Sequence, residues 1–222
     1  MNKYLAEAIG TFALVFAGCG AIVVNDLYDG VLGHVGVSLV FGLVIMIMIY
    51  SVGNVSGAHF NPAVTLGFFF AKRLDARDVF PYLSGEFAGA FSAALLLKVL
   101  FPIHETLGAT APSGDIIQSL LIEIILTFLL MFVILNVSTG YKEEGIMAGV
   151  AIGSMVALGA LFGGPISGAS MNPARSLAPG LISGELRSWW IYIIGPVLGA
   201  FFASPTCRLI QGAERCNSLI EK

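Results

Sequence analysis

Long apolar runs separated by short polar stretches organise the whole chain. Six runs approach the roughly 20 residues that a helix needs to cross a bilayer, and they lie at about residues 4–24, 34–53, 81–101, 116–138, 145–164 and 188–210. The first run lacks a strongly basic segment before it and is long enough to span, so we expect a retained transmembrane helix and not a signal peptide. The pattern predicts an all-α transmembrane protein with six membrane-spanning helices.

Two shorter apolar segments, at about residues 61–70 and 172–181, each begin with the same tripeptide. About ten helical residues cover only half of the hydrocarbon core. Asn is a good helix N-cap and Pro is favoured at the first helical position. We therefore expect two re-entrant half-helices that start at Asn61, Pro62, Ala63 and at Asn172, Pro173, Ala174.

The two halves of the chain resemble each other. LAEAIGTFALVF matches LIEIILTFLLMF, YLSGEFAGAFSA matches YIIGPVLGAFFA, and SGAHFNPAVTLG matches SGASMNPARSLA. We predict one transmembrane domain over residues 1–222, with one repeat at about 1–110 and the other at about 111–222. Each repeat holds three spans, an odd number, so the second is inverted and the interrupted helices meet near the membrane midplane.

Composition agrees with a membrane protein. Hydrophobic residues make up 57% of the chain and charged residues only 11%, whereas soluble domains carry about 25% charged residues. The net charge is −3 without a basic run, which argues against a nucleic-acid partner. The three cysteines (Cys19, Cys207 and Cys216) lack metal-ligand spacing, and we expect free thiols.

The distribution of Lys and Arg predicts the orientation, because positive charges concentrate on the cytoplasmic side. With both termini inside, eight cations are cytoplasmic, namely Lys3, Lys72, Arg73, Arg77, Lys142, Arg208, Arg215 and Lys222. Three are on the outer side, namely Lys98, Arg175 and Arg187. We therefore expect both termini in the cytoplasm.

The paired half-helix starts have a chemical consequence. Their positive dipole ends face each other at the membrane centre, and the amides of Asn61 and Asn172 offer hydrogen-bond donors there. A water molecule between them accepts through its oxygen, so its protons point away toward the two mouths. A dehydrated cation meets two positive helix ends. The arrangement predicts passage of water and exclusion of protons and cations.

The segments GTFALVF, SGAHFNPAVT and SGASMNPARS, with the paired Glu7 and Glu123, resemble the aquaporin or major intrinsic protein family over almost the whole chain. The resemblance implies a passive channel without a cofactor, in the cell membrane. It also implies the aquaporin-like fold, in which six tilted helices and two half-helices surround one pore per protomer of a homotetramer. Selectivity in this family depends on pore diameter, lining hydrogen-bond groups and electrostatic barriers.

The resemblance also implies a selectivity filter formed by Phe41, Ala160, Ala169 and Arg175. Strict water channels usually carry a His where this chain has Ala160, and often a Cys or Thr where it has Ala169. Both changes remove bulk, so we expect a wider and more apolar filter, although Phe41 is smaller than the Trp common in glycerol channels. GPISGASMNPARSLAP resembles the branch of plants and some bacteria that passes metalloid acids and glycerol.

By the same resemblance, two sets of backbone carbonyls line the water path, namely those of Gly57, Ala58, His59 and of Gly168, Ala169, Ser170. The carboxylates of Glu7 and Glu123 are expected to accept hydrogen bonds from the backbone of the re-entrant loops. His34 and His104 are expected at the outer face and His59 near the inner mouth. None of these histidines has a pattern that predicts a metal site.

Several functions stay open at this point. The first is a channel for water that also passes small uncharged solutes. The second is a glycerol or metalloid-acid facilitator with water as a minor substrate. A third, less favoured, is an ion-coupled transporter that uses Glu7 and Glu123. An intramembrane enzyme is disfavoured, since the sequence contains no nucleophile elbow, HExxH motif, Gly-rich phosphate loop or paired catalytic carboxylates.

Overall fold

The computed structural model describes residues 1–138, 146–213 and 216, and all regular structure in these residues is helical. Its helices are α1 (Asn2–Leu27), α2 (Gly33–Ser56), α3 (Pro62–Phe70), α4 (Ala76–Leu100), α5 (Ile116–Val137), α6 (Ala148–Ser167), α7 (Pro173–Ser183) and α8 (Ile191–Gln211). Six of them are long and apolar enough to cross a membrane. The predicted spans and the all-α fold class are therefore confirmed.

The helix bounds differ from the apolar runs because capping and backbone geometry decide where a helix ends. Helix α4 begins five residues before the predicted start, since the polar turn after Asp75 is already helical. Helix α6 continues to Ser167 and stops at Gly168, whose φ is +81°. Helix α8 begins at Ile191 and not at 188, because Ser188 has a φ of 52°. Residue 145, the predicted start of the fifth span, lies outside the described residues.

The half-helices start at the two Asn-Pro-Ala motifs. Asn61 accepts a hydrogen bond from the Ala63 N–H through its side-chain oxygen at 2.9 Å. Asn172 accepts from the N–H groups of Ala174 and Arg175 at 3.0 and 3.2 Å. Helix α3 has 9 residues and α7 has 11, which is too short to cross the hydrocarbon core. The predicted short helices and their caps are present.

Packing follows the internal repeat. Within each repeat the first span packs on the third, α1 on α4 and α5 on α8. Each half-helix lies mainly against the third span of the other repeat, so α3 packs on α8 and α7 packs on α4. The close pairs meet at glycines, where a Cβ on Gly89 would overlap the carbonyl of Ala8 and a Cβ on Gly199 that of Ile124. The two repeats therefore interlock.

The outer surface of the helices is apolar. Large hydrophobic side chains are exposed on every long helix, including Ile9, Ile47, Val99, Ile125, Phe162 and Phe202. Such a surface is unfavourable in water and matches the hydrocarbon of a bilayer. Of the cations used to predict the orientation, Lys142, Arg215 and Lys222 lie outside the described residues.

The expectation of three free thiols is wrong for one pair. Cys207 and Cys216 form a disulfide, with Cα atoms 5.9 Å apart, while Cys19 is free and buried. Nine residues of continuous helix would separate the two by about 13 Å. The chain leaves the helix at Gly212, which has a φ of 84°, and this turn brings Cys216 back to α8.

The contact at Gly199 predicts a stability effect. Gly199→Ala forces α8 away from α5, and overpacking of this kind costs about 1–3 kcal/mol. We expect a lower midpoint of thermal unfolding in detergent, measured by fluorescence-detected gel filtration. Gly114→Ala is the matched control, because nothing lies within 4 Å of the added Cβ. Equal midpoints for the two variants would contradict the packing role of Gly199.

Candidate functional site

A cavity of about 390 Å³ lies between the two repeats. It extends from Tyr50 and Ala148 at one end to Arg175 at the other, and both motif asparagines line it. Most of the wall is formed by apolar side chains of α2, α5 and α6, such as Ile45, Ile49, Ile134, Ile152 and Val156. The cavity is thus a largely apolar passage whose polar lining includes both motif asparagines and Arg175.

The two asparagines join the half-helix starts at the middle of this cavity. Asn61 Nδ2 donates to the carbonyl of Met171 at 2.7 Å, and Asn172 Nδ2 donates to the carbonyl of Phe60 at 2.9 Å. Each side-chain oxygen caps its own helix, so the orientation of the amide is determined by its contacts. One N–H of each amide is used across the repeats, and the second remains available to a molecule in the cavity.

The loops that precede the half-helices have unusual backbone geometry. Ala58 and Phe60 have φ values of 54° and 52°, and Ala169 and Met171 have values of 43° and 53°. Left-handed conformations of non-glycine residues are uncommon and cost of order 1–3 kcal/mol each, so the surrounding structure has to hold them.

Two buried carboxylates hold these loops. Glu7 accepts from the N–H groups of His59 and Phe60 at 3.0 and 2.6 Å. Glu123 accepts from the N–H groups of Ser170 and Met171, both at 2.8 Å. Both carboxylates are fully buried. The hydrogen bonds from the loop backbone therefore take the place of hydrogen bonds to water, which the bilayer interior does not contain.

The side chain of Arg175 is held at the end of the cavity. Its Nη1 donates to the carbonyl of Gly108 at 2.7 Å and to Cys19 Sγ at 3.2 Å. The guanidinium carbon lies 4.9 Å from the centre of the Phe41 ring, a cation–π arrangement. The same ring packs closely on α1, where a Cβ on Gly18 would overlap it.

A second cavity of about 240 Å³ lies beyond this point and shares Phe41 and Ala160 with the first. The shared lining places these residues where the two cavities adjoin. Ala169 and Arg175 line the first cavity. The structure therefore places all four predicted filter residues on the wall of the first cavity, and Phe41 and Ala160 also on the second.

The predicted carbonyl residues are distributed over both cavities. Gly57, Ala58 and His59 line the central one, as do Ala169 and Ser170, whereas Gly168 lines the outer one. The carbonyls of Phe60 and Met171, which bind the motif asparagines, were not among the predicted set.

One buried carboxylate was missed by the sequence analysis. Glu86 of α4 is fully buried, and its carboxylate accepts a hydrogen bond from Thr65 Oγ1. Thr65 in turn bonds His59 Nδ1 at 2.8 Å. A glutamate inside an apolar span is by itself a candidate functional residue. The matching position of the second repeat is Pro196, so Glu86 has no counterpart of the kind that Glu7 has in Glu123. Cys19 and Gly108 carry no sequence signal, because only the tertiary structure places them at Arg175.

Comparison with known proteins bears on this arrangement. The family model described as major intrinsic protein matches residues 1–206. Aquaporin NIP1-1 of Oryza sativa subsp. japonica is 50% identical over 201 residues, which cover 90% of this chain and 71% of that protein. Nodulin-26 of Glycine max is 44% identical over 216 residues, which cover 97% of this chain and 80% of that protein.

A solved structure shows the same fold. The X-ray structure of the aquaglyceroporin from Plasmodium falciparum matches with a TM-score of 0.80 at 25% identity, covering 95% of this chain and 98% of that one. The predicted family, the aquaporin-like fold and the channel class are thereby confirmed. The chain belongs to the major intrinsic protein family and is a multi-pass membrane channel for water and small solutes, not an enzyme.

Proposed function

We propose that this channel passes water together with small uncharged solutes, such as glycerol or a metalloid acid, and excludes ions and protons. The observation that carries the proposal is the lining of the first cavity, in which Ala160 and Ala169 are small side chains and the Arg175 guanidinium lies 4.9 Å from the Phe41 ring centre. Two small side chains leave room for a solute larger than water. The aromatic ring and the guanidinium suit a molecule with a carbon face and a hydroxyl face.

Exclusion of ions is assigned to two places. At the filter, the fixed charge of Arg175 repels cations. At the middle, the free N–H groups of Asn61 and Asn172 and the positive ends of α3 and α7 favour an uncharged hydrogen-bond acceptor. Water passing this point is oriented by its oxygen, which interrupts a proton relay. The carbonyls of Gly57, Ala58, His59, Gly168, Ala169 and Ser170 are proposed as acceptors along the rest of the path.

Two alternatives have different support. A glycerol or metalloid-acid facilitator with water as a minor substrate uses the same filter, and the name of the aquaglyceroporin neighbour favours it. An ion-coupled transporter has less support, because Glu7 and Glu123 accept backbone hydrogen bonds from the loops. We assign these two carboxylates to loop support. We also propose a homotetramer in the cell membrane with both termini cytoplasmic.

The width of the filter is tested at Ala160. In proteoliposome swelling assays, the unmodified protein is expected to pass water, and to pass glycerol more slowly. Ala160→His adds a bulky polar ring and should lower glycerol permeability about tenfold, which corresponds to about 1.4 kcal/mol of barrier, while water permeability falls less. Ala160→Ser is the control that adds polarity without bulk. If liposomes with the unmodified protein are no more permeable to glycerol, boric acid and arsenite than empty liposomes are, the proposed solute range is wrong and the protein is a channel for water only.

The charge of the filter is tested at Arg175. Arg175→Val removes the cation and opens space, so we expect a measurable proton leak in liposomes that contain a pH-sensitive dye, with broader solute uptake. Arg187→Val is the matched control, because Arg187 is an exposed arginine paired with Glu185 at 2.9 Å. Unchanged proton and solute selectivity in Arg175→Val would contradict the assignment of Arg175 to the selectivity filter.

Loop support is tested at Glu123. In Glu123→Gln, an amide N–H replaces one acceptor oxygen and leaves a buried backbone donor unpaired, at a cost of about 1–3 kcal/mol. We expect a lower unfolding midpoint and lower water permeability, and no change in exposed Glu105→Gln. A coupling site would behave differently, since its loss would abolish a response of solute flux to a proton gradient and leave the midpoint unchanged.

A further inference from the structure

A chain of three polar side chains joins helix α4 to the wall of the passage. Thr65 Oγ1 of α3 donates to Oε1 of Glu86 at 2.5 Å. The same hydroxyl oxygen lies 2.8 Å from Nδ1 of His59. Glu86 and Thr65 are fully buried, whereas His59 lines the central cavity. The chain therefore connects a carboxyl group inside the helix bundle to a ring that borders the path of water.

The protons along this chain determine the tautomer of the ring. Threonine has one hydroxyl proton, and Glu86 Oε1 accepts it. Oε1 remains an acceptor whether the carboxyl group is ionised or carries its proton on Oε2, which has no hydrogen-bond partner among the described residues. Thr65 Oγ1 then accepts from His59, so the proton of the neutral ring is on Nδ1. This leaves Nε2 as an unprotonated acceptor.

The second ring nitrogen of His59 lies at the passage. The ring packs on Phe68 and Tyr82, with centres 4.5 and 4.7 Å away. Nε2 lies beside Gly57, 3.4 Å from the position of a Cβ added to that glycine, and Gly57 and His59 both line the central cavity. Within the described part of the chain, the hydrogen bonds of His59 run through its backbone N–H and Nδ1. A molecule in the passage is therefore the available partner of Nε2.

The matching chain in the second repeat is built differently. Ser170 and Ser176 occupy the matching positions, and their hydroxyl groups are also bonded to each other. Thr110 donates to Ser176 at 2.6 Å, and Ser170 donates to the carbonyl of Asn172 at 2.8 Å. Each hydroxyl proton of this chain is thus used within the protein. The chain of the first repeat instead ends on a ring nitrogen that faces the passage.

We propose that Glu86 is a positioning residue for His59: through Thr65 it keeps the ring in the tautomer protonated on Nδ1, so that Nε2 is a hydrogen-bond acceptor at the passage. The proposal rests on the orientation of water at the motif asparagines that is part of the proposed function. Asn61 presents a donor to the passage, so water there directs its protons away from it. An acceptor two residues earlier in the chain receives such a proton, whereas a donor there would oppose it.

Glu86→Met separates this role from a purely structural one. Methionine is unbranched and lacks a strong acceptor, so the Thr65 hydroxyl proton turns to Nδ1 and the ring proton moves to Nε2. Because Thr65 finds a new acceptor, no buried donor is left unpaired. We expect a reversed tautomer, water permeability that is several-fold lower, and an unfolding midpoint close to that of the unmodified protein. Thr65→Ser is the matched control, because it keeps the hydroxyl group.

The tautomer is measured by ¹⁵N NMR of histidine-labelled protein in lipid bilayers, since protonated and unprotonated ring nitrogens differ in chemical shift. The chain has three histidines, and the signals of His59 are identified by comparison with His34→Gln and His104→Gln. Nδ1 is expected to carry the proton in the unmodified protein and in Thr65→Ser, and Nε2 in Glu86→Met. Water and glycerol permeabilities of the same proteins are measured by stopped-flow swelling of proteoliposomes.

Three results would overturn the proposal. The first is a proton on Nε2 in the unmodified protein, and the second is an unchanged tautomer in Glu86→Met. The third is a reversed tautomer with unchanged water permeability, because Nε2 then does not act on water. If Glu86→Met fails to fold, Thr65→Val takes its place: it removes the partner of Nδ1, so both tautomers should appear, and a ring that stays protonated on Nδ1 alone contradicts the proposal.

The same measurements distinguish failure of this proposal from failure of the proposed solute range. The NMR result does not depend on which solutes the channel passes. If none of the proteins passes glycerol, the solute range is wrong, and the tautomer and the water permeability still decide the role of Glu86. If glycerol passes and the tautomer of Glu86→Met is unchanged, the solute range stands and the role of Glu86 is wrong.

Discussion

The need to satisfy backbone hydrogen bonds away from water governs this structure. Two loops enter the apolar interior and place left-handed residues there, Ala58 and Phe60 in one loop and Ala169 and Met171 in the other. Irregular backbone at membrane depth is tolerated only where protein or a water-filled cavity satisfies it. Glu7 and Glu123 supply acceptors to the loop N–H groups, and the positions of Asn61 and Asn172 in the passage depend on the loops keeping this shape.

The asparagines connect the two loops into one unit. Each caps its own half-helix through its oxygen and donates to the opposite loop through its nitrogen. A single side chain therefore caps the start of one half-helix, joins it to the opposite repeat and leaves a donor for the passage. The interlocked packing of α3 on α8 and α7 on α4 extends the same link to the outer helices, so neither repeat contains a complete passage.

The repeat is symmetric in its scaffold and asymmetric in its chemistry. Glu7 and Glu123 occupy matching positions and hold matching loops, but Arg175 of the second repeat corresponds to Val64 of the first. The charge is therefore present at one end of the passage only. Gly108 and Cys19, which hold this charge, both belong to the first repeat, so the surroundings of Arg175 come from both halves of the chain.

The sequence by itself determined the spans, the half-helices, the family and the identity of the motif residues, because hydrophobic length, capping residues and repeated motifs are local properties. It did not determine the ends of α4 and α8, where backbone geometry overrode the apolar pattern, or the pairing of Cys207 with Cys216 across a turn. Only the tertiary structure placed Gly108 and Cys19 at Arg175. These contacts join residues far apart in the chain, and no local pattern encodes which distant groups meet when the helices pack.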